Sequence, residues 1–293
     1  MPDRGKWFRR TLCSLALLVS ALAGAAQDCL DCHLASADQP VLAIQHSAHA
    51  ALAGGGNEAC RACHGDSAGH IAAPASSAPD FSFGPHWPMP AAEGGARCLT
   101  CHAGGEQLHW AGSAHAAADL ACTDCHSLHR QSQLAPAPDP ATSGCLTCHS
   151  EVRAELRLPS RHPIAEGKTA CTDCHNPHGS PTPGELAAVT LNDTCFTCHS
   201  EKRGPFLWEH PPASEDCSLC HRPHGSVHPR LLTARGPALC QQCHAAAFHP
   251  SLPYGGEGVA GAAPNQNLLG KNCLNCHGQV HGSNHPSGAR LTR

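Results

Sequence analysis

Ten copies of the motif Cys-X-X-Cys-His use twenty of the 21 cysteines in this chain of 293 residues. The spacing is typical of c-type haem attachment, in which two thiols bond to the porphyrin vinyl groups and the adjacent imidazole binds the iron. Zinc ribbons and disulfide frameworks also use Cys-X-X-Cys pairs, but neither requires a histidine directly after the second cysteine. Because that histidine is present ten times, the sequence predicts ten covalently bound haems c.

Each of these attachment motifs, here called boxes 1 to 10 in chain order, supplies two thiols and one proximal histidine. They are Cys29, Cys32 and His33; Cys60, Cys63 and His64; Cys98, Cys101 and His102; Cys122, Cys125 and His126; Cys145, Cys148 and His149; Cys171, Cys174 and His175; Cys195, Cys198 and His199; Cys217, Cys220 and His221; Cys240, Cys243 and His244; Cys273, Cys276 and His277.

Fifteen further histidines can supply the second axial ligand of each iron, whereas Met89 is the one methionine besides the first residue. We therefore expect bis-histidine irons. These have no open coordination position for a substrate, so we expect outer-sphere electron transfer rather than enzymatic catalysis. The predicted distal ligands are His49, His70, His115, His129, His162, His178, His210, His224, His281 and His285, with His46 and His249 as alternatives; His86, His109 and His228 are expected at the surface.

The boxes recur in pairs, which predicts five two-haem repeats. Repeat 1 covers residues 29–70, repeat 2 residues 98–129, repeat 3 residues 145–178, repeat 4 residues 195–224 and repeat 5 residues 240–285. In repeats 2 to 4 a first spare histidine follows the first box, and a second spare histidine follows the second box after three residues. Such a periodicity is typical of arrays in which each repeat contacts its neighbours. The sequence does not indicate which iron each spare histidine serves.

The polypeptide has few residues with which to build an apolar core. Leu, Ile, Val and Phe make up 45 of the 293 residues, while there are 28 glycines and 25 prolines. A cofactor that binds only the folded chain can supply the missing stabilisation. We therefore expect a multihaem cytochrome c fold: mostly irregular, with short α-helices at and after the boxes, little or no β-sheet and an elongated linear haem array. Residues 72–96, 131–143 and 250–271 are predicted to be loops.

The N-terminus has the pattern of a secretory signal peptide. Basic residues precede an apolar run over residues 12–22, and the small residues that follow suit cleavage near residue 25 or 26. Residues 1–26 are thus the predicted signal peptide and residues 27–293 the decahaem domain, exported to the periplasm. The formal net charge of −4 becomes more negative when the basic signal is removed, which argues against nucleic acid as a partner.

Five segments carry a resemblance to a known family: LNDTC at residues 191–195, EKRGPFLWEH at 201–210, CHRPHGSV at 220–227, LCQQCH at 239–244 and CLNCHGQVHGSNHPSG at 273–288. They resemble the periplasmic decahaem cytochromes of outer-membrane porin–cytochrome conduits, of the Mtr, Mto and Pio types, and their relatives in extracellular dimethyl sulfoxide reduction. The similarity extends over all ten boxes and is strongest from Cys98 onward.

The resemblance implies a cytochrome associated with the outer membrane and inserted into a β-barrel porin. It implies electron exchange with a periplasmic or inner-membrane cytochrome on one side and with an extracellular multihaem cytochrome or mineral on the other, in either direction. A freely diffusing periplasmic electron shuttle is the alternative hypothesis. A multihaem reductase is disfavoured because such enzymes often carry a CXXCK box, and the sequence has none.

Overall fold

The computed structural model describes residues 29–33, 44, 47–49, 56–129, 144–244, 272–286 and 288–292. The predicted signal peptide, the alternative ligands His46 and His249, and the predicted loops at 131–143 and 250–271 lie outside the described residues. All twenty box cysteines and all ten box histidines lie within them.

Short helices make up the regular structure of these residues. They are α1 (Cys29–His33), α2 (Asn57–His64), α3 (Ala68–Ala72), α4 (Ala91–His102), α5 (Ala114–Ala117), α6 (Cys122–Cys125), α7 (Gly144–Cys148), α8 (Ser150–Glu155), α9 (Leu191–Phe196), α10 (Pro211–Glu215) and α11 (Gly236–Gln241). Further 3₁₀ turns lie at Gly105–Gln107, Trp110–Gly112, Cys171–Asp173, Pro183–Glu185, Ser200–Lys202, Cys217–Leu219, Pro229–Leu231, Cys273–Asn275 and Gly288–Arg290.

The two boxes of a repeat lie in different secondary structure. In repeats 2 to 5 the first cysteine of the first box lies in α4, α7, α9 or α11, and most of these helices begin several residues before the box. The second box begins on a single turn of four residues or fewer, at Cys122–Cys125, Cys171–Asp173, Cys217–Leu219 and Cys273–Asn275. An aspartate or asparagine side chain accepts a backbone N–H at each of these turns, which stabilises a turn too short to be stable alone.

No β-strand occurs in the described ranges, where pairing is limited to four isolated antiparallel bridges. The prediction of a largely irregular multihaem fold with short helices and little or no sheet is confirmed. None of the helices described here is long and apolar enough to cross a membrane.

The predicted loop at 72–96 is wrong at its C-terminal end, because α4 begins at Ala91 and continues through box 3. Pro90 is the N-cap residue, and its carbonyl accepts the N–H groups of Glu93 and Gly94. Glu93 lies in the first turn, where a negative charge is stabilised by the helix dipole. The glycines of AAEGGAR are typical of loops, so the sequence did not indicate that a helix begins here.

The described residues fall into two compact units. One comprises Met1–Met89 with Leu128–Gln133, and the other comprises Pro90–Ser127 with Leu134–Arg293. Helices α1 to α3 therefore belong to the first unit and α4 to α11 to the second. The contacts described below each lie inside one unit.

Few apolar side chains are buried. Ala59, Leu146 and Leu156 are the buried apolar residues of the described part, and no large side chain there is fully buried. Several polar residues are buried instead, including Asn192, Ser226 and Ser283. Asn192 donates to the carbonyl groups of Ala213 and Ser214 and accepts the N–H of Cys217, so it connects α9 to box 8. Packing of apolar side chains alone does not hold this chain together.

Consecutive repeats are joined at a His-Gly-Ser sequence that follows each second box in repeats 3 to 5. In repeat 4, Ser226 exchanges two backbone hydrogen bonds with Ser160 of repeat 3, at 2.8 and 3.1 Å. In repeat 5, Ser283 exchanges two with Trp208 of repeat 4, both at 2.9 Å. These backbone pairs place each second spare histidine beside the preceding repeat.

The glycine of this sequence permits the close approach. A Cβ at Gly225 would overlap the backbone carbonyl of Glu155 in repeat 3, and one at Gly179 would lie 2.7 Å from the carbonyl oxygen of His109 in repeat 2. Both collisions involve backbone atoms, which cannot rotate away as a flexible side chain can.

We predict that Gly225→Ala destabilises the holoprotein by about 1–3 kcal/mol, the range expected for overpacking, because the new methyl group separates repeats 3 and 4. Thermal unfolding followed by visible absorbance measures the change. The matched control is Gly112→Ala, where a Cβ meets no atom within 4 Å. Equal melting temperatures for the two variants would contradict the close contact at Gly225.

Candidate haem-binding sites

The side chains of all twenty box cysteines lie at intermediate or exposed positions. In repeats 2 to 5 the first cysteines of the two boxes are hydrogen bonded to each other, as Cys98 is to Cys122 and Cys195 is to Cys217. This bond lowers the pKa of Cys122 and that of Cys195 to about 7. It raises the pKa of the opposite thiol Cys217. The two attachment sites of one repeat are therefore adjacent.

Attachment sites of consecutive repeats are also neighbours in the second compact unit. The second box of one repeat faces the first box of the next, since Cys125 lies near Cys145, Cys174 near Cys195, and Cys220 near Cys243. Each of these three facing thiols has a raised pKa, chiefly because of burial. Boxes 4 to 9 therefore follow one another in space in their sequence order.

Eight box histidines each face one spare histidine. The ring centroids are 6.0 to 6.4 Å apart in the pairs His33–His70, His64–His129, His126–His178, His149–His115, His175–His224, His199–His162, His221–His281 and His244–His210. The ring planes range from nearly parallel, at 13° in His221–His281, to 77° in His115–His149.

This separation suits a metal ion between the two rings. A metal–imidazole bond is about 2 Å long, and the bonded nitrogen lies roughly 1 Å from its ring centre. Two imidazoles on opposite sides of one ion therefore have centroids about 6 Å apart. Rings in direct van der Waals stacking would be closer. The residues present thus fit a six-coordinate haem iron.

In most pairs the spare histidine and the box histidine come from neighbouring repeats. The first spare histidine of repeats 2, 3 and 4 faces the first box of the next repeat, as His210 faces His244. The second spare histidine of repeats 2 to 5 faces the second box of the preceding repeat, as His224 faces His175. Repeat 1 differs, because His70 faces His33 of its own repeat.

Hydrogen bonds orient many of these rings. A backbone carbonyl can only accept, so a ring whose Nδ1 bonds to a carbonyl carries its proton there and leaves Nε2 available to a metal. Four box histidines have such a bond, from His64 to Phe81, His175 to Gly184, His221 to Arg230 and His277 to Arg290, at 2.6 to 2.9 Å. Among the spare histidines His70 bonds to Ser77, His115 to Pro177, His162 to Pro223 and His210 to Val280, at 2.7 to 2.8 Å.

The acceptors of the last three bonds have a common position. Pro177, Pro223 and Val280 each precede the second spare histidine of the following repeat. The contact between two consecutive repeats, here called a junction, therefore contains two ring pairs and one histidine–carbonyl bond in repeats 2 to 5. The recurrence of Pro-His-Gly-Ser can be read from the sequence, but its contact with the preceding repeat cannot.

Burial favours the neutral form of several paired rings. It lowers the pKa of His64, His178 and His281 below the ordinary histidine value. A neutral imidazole is the form that binds a metal, so these sites are prepared for ligation.

The other candidates are placed as follows. His49 and His285 remain predicted distal ligands, and no iron is assigned to either of them. The side chain of His109 is exposed, and His86 packs its ring against Trp87 at a centroid distance of 4.3 Å. Trp87 in turn contacts the edge of the His70 ring.

Comparison with known proteins agrees with these features. Residues 162–204 and 210–249 match the family model of the doubled CXXCH motif, and residues 60–137 match the model of the cytochrome c-type protein NrfB-like. The multiheme cytochrome MtrA of Shewanella baltica (strain OS185) is 40% identical over 274 residues, which cover 92% of this chain and 81% of that protein.

The boxes, the paired histidines and the cofactor-dependent core define a multihaem c-type cytochrome that binds haem covalently and transfers electrons. Because this relative is 40% identical over 92% of the chain, the chain belongs to the MtrA family of multihaem cytochromes.

Proposed function

We propose that this protein carries electrons across the outer membrane through ten covalently bound bis-histidine haems, held within a porin–cytochrome complex. The observation that supports this most is the set of eight histidine pairs. Each joins a box histidine to a spare histidine at a separation suited to one iron.

In this proposal the box cysteines form the thioether bonds and the box histidines are the proximal ligands. The distal ligands are the ten predicted spare histidines, of which eight occupy the facing positions described above. Each haem iron, when bound, supplies one-electron chemistry between its ferric and ferrous states. The histidines keep both axial positions occupied, so the chain offers no coordination site for substrate.

The order of the boxes supports conduction along the chain. Thiols of successive boxes are adjacent through the second compact unit, so no attachment site there is separated from its neighbours in sequence. The repeats thereby place redox centres close together in a defined order, which is what electron transfer over a long distance requires of the protein.

The proposed location rests on the family. The relative is an MtrA cytochrome, and the N-terminal sequence predicts export by a signal peptide cleaved near residue 25 or 26. We propose a periplasmic, outer-membrane-associated protein inserted in a β-barrel porin whose polar lumen suits an acidic chain. A periplasmic or inner-membrane cytochrome and an extracellular multihaem cytochrome or mineral are the proposed electron-exchange partners. The processes served are extracellular metal reduction, extracellular respiration or iron oxidation.

We predict that His210→Ala converts one haem, that of box 9 in repeat 5, from low spin to high spin, because the variant removes its distal ligand while both thioether bonds remain. Electron paramagnetic resonance of the oxidised holoprotein measures the high-spin signal, and intact mass measures haem content. His109→Ala, at an exposed histidine two repeats earlier, is the matched control and should remain fully low spin.

His210→Ala also tests whether a histidine of one repeat binds an iron of the next repeat. In a chain that lacks the box 9 haem through Cys240→Ser and Cys243→Ser, His210→Ala should produce no further high-spin signal. A high-spin haem that persists in this background would show that His210 serves another iron.

We predict that proteoliposomes transfer electrons from an external reductant to an enclosed acceptor when they contain both this cytochrome and an outer-membrane β-barrel porin that binds it. Vesicles with the porin alone or the cytochrome alone should transfer electrons at background rates. Stopped-flow absorbance of the enclosed acceptor measures the rate. A cytochrome that never associates with a porin, yet exchanges electrons rapidly with soluble cytochromes, would support the freely diffusing shuttle instead.

A further inference from the structure

Among the described ion pairs, His224 has the shortest distance between a paired-histidine Nδ1 and a carboxylate; in the pair of His199 with Glu201 this distance is 3.9 Å. Nδ1 of His224 lies 3.3 Å from Oε2 of Glu155, whereas the corresponding nitrogens of His162 and His210 donate to backbone carbonyls. His115 also has a carboxylate nearby, that of Glu185 at 3.9 Å, but its proton is directed to the carbonyl of Pro177 at 2.8 Å. Nδ1 of His224 thus lies near a charged group.

The position of Glu155 relative to His224 is set by the backbone. Glu155 is the last residue of α8, and its carbonyl packs against Gly225, the residue directly after His224. The reciprocal hydrogen bonds between Ser160 and Ser226 hold the flanking segments together. These backbone contacts place the side chain of Glu155 within reach of the His224 ring.

The location is unfavourable for the helix itself. A negative charge in the last turn is opposed by the helix dipole, which favours cations there. Helix stability therefore gives no reason for an acid at this place, whereas the histidine does.

We propose that Glu155 is a positioning residue that makes the haem of box 6 more reducing than its neighbours by acting on the distal ligand His224. A carboxylate that attracts the Nδ1 proton increases the electron donation of Nε2 to the iron. Both this donation and the negative charge stabilise the ferric state, so the reduction potential falls. The inference rests on the proposed pairing of His175 with His224.

Potentiometric titration of the purified holoprotein tests the proposal. Glu155→Gln preserves the size and an acceptor oxygen but removes the charge. We expect one haem to move to higher potential, with its reduced-to-oxidised ratio at fixed potential raised up to tenfold, which corresponds to about 59 mV for one electron. Glu155→Asp, which retains the charge on a shorter side chain, should give a smaller shift. The matched control Glu215→Gln removes one charge from the exposed end of α10 and should leave this haem unchanged.

A double substitution separates this inference from the proposed ligation. His224→Met should raise the potential of one low-spin haem. Adding Glu155→Gln to it should give a smaller further shift than Glu155→Gln gives alone, because the part of the effect that passes through the imidazole is lost. If His224→Met changes one haem but Glu155→Gln changes none, the role of Glu155 is wrong and the ligation stands. If His224→Met alters no haem, the ligand assignment itself is wrong.

Discussion

The rest of the structure depends on the pairing of two imidazoles, one from a box and one usually from a neighbouring repeat, at the separation that one iron requires. The chain has almost no buried apolar side chains in its described part, so ordinary packing supplies little stability. In the proposed assignment each iron joins two segments of polypeptide. Cofactor binding and chain folding are then one event, because the two ligands are brought together only in the folded state.

Exchange of ligands between repeats has a structural consequence. A repeat that used both of its spare histidines for its own irons could fold alone and would be connected to its neighbours weakly. Here, in the second compact unit, each junction has two ring pairs and further hydrogen bonds through Pro-His-Gly-Ser or Val-His-Gly-Ser. In the proposed assignment, the residues that hold neighbouring attachment sites close are the same residues that complete the coordination of the iron. The contacts that hold the repeats together are then also the contacts that electron transfer between the haems requires.

Much of the fold was predictable because haem chemistry constrains the sequence locally. Cys-X-X-Cys-His is a contiguous motif, so the attachment boxes needed no tertiary information. The scarcity of Leu, Ile, Val and Phe indicated an irregular chain with short helices, which the structure confirms. Distal ligands were harder, since a spare histidine such as His210 acts on a box whose proximal histidine is 34 positions away in the numbering. The repeat period identified such residues as candidates but not their direction of exchange.

Other features could not be predicted from the sequence because they arise where two repeats meet. The start of α4 before box 3 was missed where glycines in the helix resembled a loop. Glu155 carries no distinguishing signal in the sequence, and the contact of its backbone with Gly225 is what places it beside His224. Hydrogen-bond acceptors such as Pro223 carry no signal in their side chains, because the acceptor is the main chain. The contacts between repeats therefore cannot be predicted from the spacing of residues along the sequence.

The central claim is that paired histidines occupy both axial positions of every iron. Magnetic circular dichroism of the oxidised holoprotein, with haem content counted by intact mass, tests it most directly. The account predicts that all ten haems are low spin with the near-infrared charge-transfer band of bis-histidine ligation. A substantial high-spin fraction, or a band characteristic of methionine ligation, would contradict it.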